Sequence, residues 1–269
     1  MPAYASICCR ALAQFEVWPP VTYHKQVMSC FVIGDIHGCL AELRYLIDQL
    51  PIEHGDRLVF LGDYIDRGPD SMGVVTYLLE LPKQATVDAV FLKGNHEDMF
   101  LHYLGLSGNH GDVFLSNGGL ATLASYGIAA PILGGLEIAK QLPLAHLDFY
   151  QSLETFYVVK PYICVHAGIQ PLKKLEEQTA AEMYWIRAEF IRNPHKLPFT
   201  VLFGHTPQKE VLFDLPYKIG LDTGLVYGNK LSCLAIEEKA LYQIKRGNKT
   251  IQKVSVQDNW NKKLKFHAP

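Results

Sequence analysis

Apolar residues in the first half of the chain fall into short continuous runs separated by stretches of helical spacing. Cys30–Ile33 is an apolar run closed by Gly34, which suits a buried strand. Leu40, Leu43, Ile47 and Leu50 then recur at helical intervals, with Arg44 and Asp48 facing elsewhere, and Pro51 ends the helix. The alternation repeats, with strands over Arg57–Leu61 and Ala89–Leu92 and helices over Met72–Leu81 and Glu97–Leu106. The second half changes character: Tyr157–Val165, Phe199–Phe203, Tyr217–Leu221 and Leu231–Ile236 read as strands with few helices between them. The pattern predicts an α/β fold in which two packed mixed β-sheets are flanked by helices, an αββα sandwich.

Polar residues enter this pattern at the strand ends. Each of the first three strands runs into a glycine followed by ligand-type side chains: Gly34-Asp-Ile-His-Gly38, Gly62-Asp-Tyr-Ile-Asp-Arg-Gly68 and Gly94-Asn-His-Glu97. In open α/β sheets the carboxyl ends of parallel strands share one edge, so loops one β-α-β unit apart converge on a common crevice. Two later histidines follow strands in the same way, in Val165-His-Ala-Gly168 and Phe203-Gly-His-Thr-Pro207. Five loops are therefore expected to line one cleft.

With no repeat, low-complexity tract or long linker, the simplest organisation is one catalytic domain over residues 28–255. Residues 1–27 read as a poorly ordered extension, with Met28 a candidate start, and residues 256–269 as a C-terminal tail. With 25 basic against 27 acidic residues, the formal charge of -2 gives no general pull toward nucleic acid or anionic lipid. No stretch reaches the roughly 18 uninterrupted apolar residues of a membrane span, and Arg10 and Glu16 interrupt any signal-peptide core. Six cysteines without CxxC pairing read as buried thiols of a reducing compartment, and the expectation is a cytoplasmic protein.

The donors in the five loops are carboxylates, imidazoles and an asparagine carbonyl, a set suited to Mn²⁺, Fe²⁺ or Zn²⁺; the absence of thiolates argues against a structural zinc site. Asp35, His37, Asp63, Asn95, His166 and His205 exceed what one ion needs. If Asp63 bridges, each of two ions gains three or four protein ligands with positions left for water and substrate. The histidines outside the five loops, His24, His54, His102, His110, His146, His195 and His267, read as structural or surface residues.

Together the three motifs and two later histidines resemble the PPP family of calcineurin-like metallophosphoesterases, over residues 31 to about 225. The resemblance implies that Asp35, His37 and Asp63 hold one ion and Asp63, Asn95, His166 and His205 the other, with manganese first among the candidates. It implies a metal-activated hydroxide for in-line attack, His96 as general acid oriented by Asp66, and Arg67 and Arg187 as grips on phosphoryl oxygens, with Asn95 at the substrate as well. Plainer roles compete: Asp66 as a turn-stabilising carboxylate, and Arg187 as a solvated partner of Glu182 and Glu189. Asp222 and Tyr227 resemble a supporting segment. The favoured expectation is a serine/threonine protein phosphatase acting on phosphorylated protein or peptide. It rests on Asp66 and on Phe114–Tyr126, which resembles a segment of bacterial and phage phosphatases. Symmetrical diadenosine tetraphosphate hydrolysis is the alternative, and an inactive phosphoprotein-binding scaffold a remote third.

Overall fold

The structure, a computed structural model, describes residues 29–84, 87–129 and 134–261. The expected extension over residues 1–27 lies outside the described residues. One sheet holds six strands in the order β11 (Gln252–Ser255), β10 (Ala240–Lys245), β9 (Lys230–Ala235), β1 (Cys30–Ile33), β2 (Arg57–Phe60), β3 (Asp88–Phe91). The other holds five, in the order β4 (Phe156–Val159), β5 (Tyr162–Val165), β6 (Thr200–Phe203), β8 (Lys218–Gly220), β7 (Leu212–Asp214). Both sheets are mixed: β1, β2 and β3 run parallel, as do β5, β6 and β8, while β9 and β4 pair antiparallel to their neighbours.

The period of two along each strand divides the core into layers. Phe31 and Ile33 of β1, with Leu58 and Phe60 of β2, face outward into a cluster with the helices on that side. These are α1 (Leu40–Ile47), α2 (Ser71–Gln84), α3 (Asn95–Tyr103), α4 (Gly119–Ser125), α5 (Gly135–Ala139) and α6 (Leu144–Ser152). Cys30, Val32, Val59 and Leu61 face inward against Tyr162, Cys164, Leu202 and Ile219 of the second sheet. On the far side, Ile163, Val165, Val201 and Phe203 pack under α7 (Ala180–Trp185) and α8 (Ala188–Arg192) through Met183, Tyr184 and Phe190. The order is helices, sheet, sheet, helices, the sandwich that the hydrophobic pattern predicts.

Three local differences have physical causes. The expected single strand Tyr157–Val165 is an antiparallel hairpin, with Val159 opposite Tyr162 and the turn at Lys160-Pro161; proline has no N–H to continue a ladder. Helices α7 and α8 occupy a region expected to hold few, and their short length hides any helical period. Residues 256–261, assigned above to a tail, contain α9 (Gln257–Asn261), whose Trp260 Nε1 donates to Tyr162 Oη at 3.2 Å. Val256, at 7% exposure, belongs to the core between the sheets. No helix among the described residues is long and apolar enough to cross a membrane.

Candidate active site

Just past the ends of the six parallel strands lie Asp35, Asp63, Asn95, His166, His205 and Asp222, all buried. Their side-chain contacts bring the two sheets' strand ends together around Asp63. The Asp63 carbonyl accepts the amides of Ile36 at 3.1 Å and His37 at 2.8 Å, fastening the second loop to the first. Its own amide donates to Glu97 Oε2 at 3.0 Å; Glu97 also accepts from Tyr64 (2.8 Å), Ile65 (3.3 Å) and Gly94 (3.0 Å). A carboxylate in the first turn of α3 thus binds four amides and sets the loop against its own helix. Burial and the neighbouring Asp63 charge push Glu97 up to about 8, while the four amide donors favour its ionised form.

The Asp63 carboxylate stands among imidazoles. His166 Nε2 lies 3.3 Å from Oδ1, His37 Nε2 3.4 Å and His96 Nε2 3.9 Å from Oδ2. Two groups of donors gather within 4.8 Å, His37 with Asp63 and His96, and Asp63 with His166 and His205. Asp63 belongs to both. Asn95 Oδ1 joins the second, 3.0 Å from His166 Nε2 and 2.8 Å from His205 Nδ1. Asp35 stands outside both groups, its carboxylate turned to the His205 amide, with Oδ2 at 2.9 Å and Oδ1 at 3.2 Å.

Protonation follows from these contacts. His166 Nδ1 donates to the Leu61 carbonyl and His37 Nδ1 to that of Ile65, both at 2.8 Å. Burial lowers both pKa values, His37 to about 3, and takes His205 down to about 2. Each of the first two rings is therefore neutral with a bare Nε2. The bare nitrogen of His166 faces Asn95 Oδ1 and Asp63 Oδ1, acceptors facing an acceptor. Burial opposes ionisation of Asp63, but the surrounding histidines, His166 foremost, hold it below the usual carboxylate range. Burial, then the charges of Asp222 and Asp63, raises Asp35 well above its ordinary value, and burial brings Asp222 up to about 6. Convergent lone pairs and crowded carboxylates are what a divalent cation satisfies, so the residues fit a metal pair.

Beside this cluster, His96 Nδ1 lies 2.6 Å from Asp66 Oδ2. Asp66 is fully buried and accepts a 2.5 Å hydrogen bond from Thr122 Oγ1 at its other oxygen, while its amide donates to Thr122 Oγ1 (2.9 Å) and Ser71 Oγ (3.1 Å). Burial disfavours the imidazolium, but the Asp63 charge and the Asp66 hydrogen bond outweigh it, and the His96 pKa is raised. Arg67 lies with Nη1 2.7 Å from His37 Nε2 and its guanidinium 5.7 Å from the centre of the Tyr227 ring. Arg187, immediately before α8, donates from Nη1 to the His205 carbonyl at 3.0 Å.

Two residues given no role from the sequence act here, Glu97 on the amides of the Asp63 loop and Thr122 on Asp66, while Asp222, expected in a supporting segment, stands at the sixth strand end. Glu97 sits inside its motif, and its position three residues after Gly94 is the reach-back spacing of a capping box. Thr122 lies in the phosphatase-like segment but carries no local mark of its distant partner.

Over 245 residues the chain is 28% identical to the asymmetrical bis(5'-nucleosyl)-tetraphosphatase PrpE of Oceanobacillus iheyensis, covering 81% of this chain and 92% of that protein. The fold resembles a crystal structure described as a candidate diadenosine tetraphosphatase, with TM-score 0.62 and 24% identity over 82% of this chain and 94% of that one. It also resembles a cold-active protein tyrosine phosphatase, with TM-score 0.57 and 18% identity over 85% and 79% of the two chains. A match to the calcineurin-like phosphoesterases spans residues 28–230 and takes in every strand end described above; the chain belongs to that family, whose hydrolases use divalent metal ions.

Proposed function

We propose that this metallophosphoesterase hydrolyses bis(5'-nucleosyl) tetraphosphates unequally, releasing a nucleoside monophosphate and a nucleoside triphosphate. The observation that carries the hydrolytic chemistry is Asp63, common to two groups of imidazole and carboxylate side chains. Support for the substrate comes from the Oceanobacillus relative, named for that activity and matched over 92% of its length. The sequence reading set symmetrical cleavage beside phosphoprotein hydrolysis; the name of this relative favours the asymmetrical split instead.

In this reading Asp35, His37 and Asp63 hold one ion and Asp63, Asn95, His166 and His205 the other, with Mn²⁺ preferred and Fe²⁺ or Zn²⁺ suited to the same donors. Such a pair lowers the pKa of water and neutralises phosphoryl charge. The chain's residues supply the rest. His96, kept protonated by Asp66, donates its Nε2 proton to the leaving oxygen as that oxygen's bond to phosphorus breaks. Arg67 and Arg187 donate to non-bridging phosphoryl oxygens. We place this activity in the cytoplasm, with neither nucleic acid nor membrane as partner.

A phosphorylated serine or threonine side chain is the second reading, and the His96–Asp66 pair favours it. An alkoxide is a poor leaving group that needs a proton, whereas a nucleoside triphosphate leaves as a delocalised anion. Specificity constants for bis(5'-adenosyl) tetraphosphate and a phosphothreonine peptide, measured side by side with Mn²⁺, separate the two. The proposal expects the dinucleotide to be preferred, with AMP and ATP as products. ADP alone would make the cleavage symmetrical, and a peptide faster by orders of magnitude would move the assignment to protein phosphatase.

A further inference from the structure

Lys218 on β8 has 0% exposure, and its ammonium pairs with the Asp214 carboxylate at 3.6 Å. An ionised amine is costly to bury unless its protons are all received. Here they are received by main-chain carbonyls: Nζ donates to Phe190 O at 2.5 Å, Asn193 O at 2.7 Å and Ile191 O at 3.2 Å. It also sits 4.7 Å from the centre of the Phe190 ring, with Asp214 Oδ2 at 3.6 Å. Burial lowers its pKa and Asp214 opposes that fall.

The three carbonyls belong to the last turn of α8 and the residues just past it. The final carbonyls of a helix have no partner within it, and a cation there is favoured by the helix dipole as well. A five-residue helix has too few internal hydrogen bonds to hold its own position. A second link supports the first, since His195 Nε2 donates to the Tyr217 carbonyl at 2.7 Å and the His195 ring stacks on Phe190. The residue that opens α8 is Arg187, which reaches back to the His205 carbonyl at 3.0 Å. Lys218 thus joins the far end of this short helix to the same sheet whose β6 runs into His205.

We propose that Lys218 is a positioning residue for Arg187: by donating to the carbonyls at the end of α8, it fixes where the guanidinium at the start of α8 meets the substrate phosphate. The proposal rests on the reading of Arg187 as a phosphate grip, and holds for either substrate class considered above.

The test is a double-mutant cycle on the manganese-loaded enzyme with p-nitrophenyl phosphate. Arg187→Ala is expected to lower kcat/KM by ~100-fold, the scale of a lost charge-assisted pair. Lys218→Met is expected to raise KM by ~10-fold with kcat within about twofold, as for loss of binding common to ground and transition states. In the Arg187→Ala background the same change should alter kcat/KM by less than about twofold, because its effect passes through a side chain already removed. Lys218→Gln, which keeps two N–H donors for the carbonyls, should fall between wild type and Lys218→Met, and takes its place in the cycle if the methionine variant does not fold. Equal losses in both backgrounds, or a lower Tm with an unchanged KM, overturn the proposal. An Arg187→Ala enzyme with wild-type kinetics overturns the reading of Arg187 and the proposal together.

Discussion

At the scale of single residues, His96 is defined by where its two nitrogens go. Nδ1 is bound to Asp66 at 2.6 Å, and Nε2 is directed toward the Asp63 carboxylate at 3.9 Å. Thr122 and Ser71 bind Asp66 in turn, so the His96 ring is held by a chain of buried hydrogen bonds. His96→Asn should lower kcat by ~10²–10⁴-fold, the usual contribution of general acid catalysis, with bound metal unchanged by elemental analysis; loss of the metal instead would assign His96 to coordination. In the proposed mechanism Asp66 sets the pH dependence. Because the His96 pKa is raised, the proton is present below that value and lost as pH rises through it. Asp66→Asn removes a charge that favours the imidazolium, so the alkaline limb of kcat should move to lower pH. A limb that does not move would leave Asp66 only a turn-stabilising role.

At the scale of elements, the site is made where strands stop. Seven described non-glycine residues have positive φ, and five of them, His37, Asp63, Asp66, Arg67 and His205, are candidate site residues. Such conformations cost of order 1–3 kcal/mol each and persist only where surroundings enforce them. Glu97 does so for Asp63, through four amides. The close approach of loops is equally exacting: a Cβ on Gly94 would lie 2.2 Å from Asp63 Oδ1 and 2.4 Å from Asp63 N. Gly94→Ala must therefore displace the shared carboxylate, and we expect about 1–3 kcal/mol lower stability in urea titration together with weaker Mn²⁺ binding; wild-type metal affinity would refute the assignment of Asp63 as common ligand. These strand ends were legible because ligand-type residues follow apolar runs and glycines, a local signal. The helices α4 and α5 were not, being seven and five residues long and shaped by tertiary packing. Lys218 was hidden for a related reason, since nothing near it in sequence announces that its carbonyl partners lie about 25 residues earlier.

At the scale of the whole molecule, the donors divide between two sheets whose inner faces pack through a layer of apolar side chains. Asp35, His37, Asp63 and Asn95 come from one, His166 and His205 from the other. An ion held by Asp63, Asn95, His166 and His205 would tie the sheets together, and metal would bind the folded chain because the unfolded chain does not assemble the donors. Mass action then gives about 2.7 kcal/mol of added stability at a metal concentration 100 times Kd. At ~2–4 °C per kcal/mol for a chain of this size, the Tm should rise by several degrees when Mn²⁺ is added to chelator-treated protein, and activity should return with it. Removing charge from the shared ligand should erase most of this gain, because Asp63→Asn weakens both sites, whereas His205→Ala should leave a partial gain from the site it does not serve. A Tm indifferent to Mn²⁺, or an Asp63→Asn variant that still gains as much as wild type, would show that the two donor groups do not depend on one carboxylate.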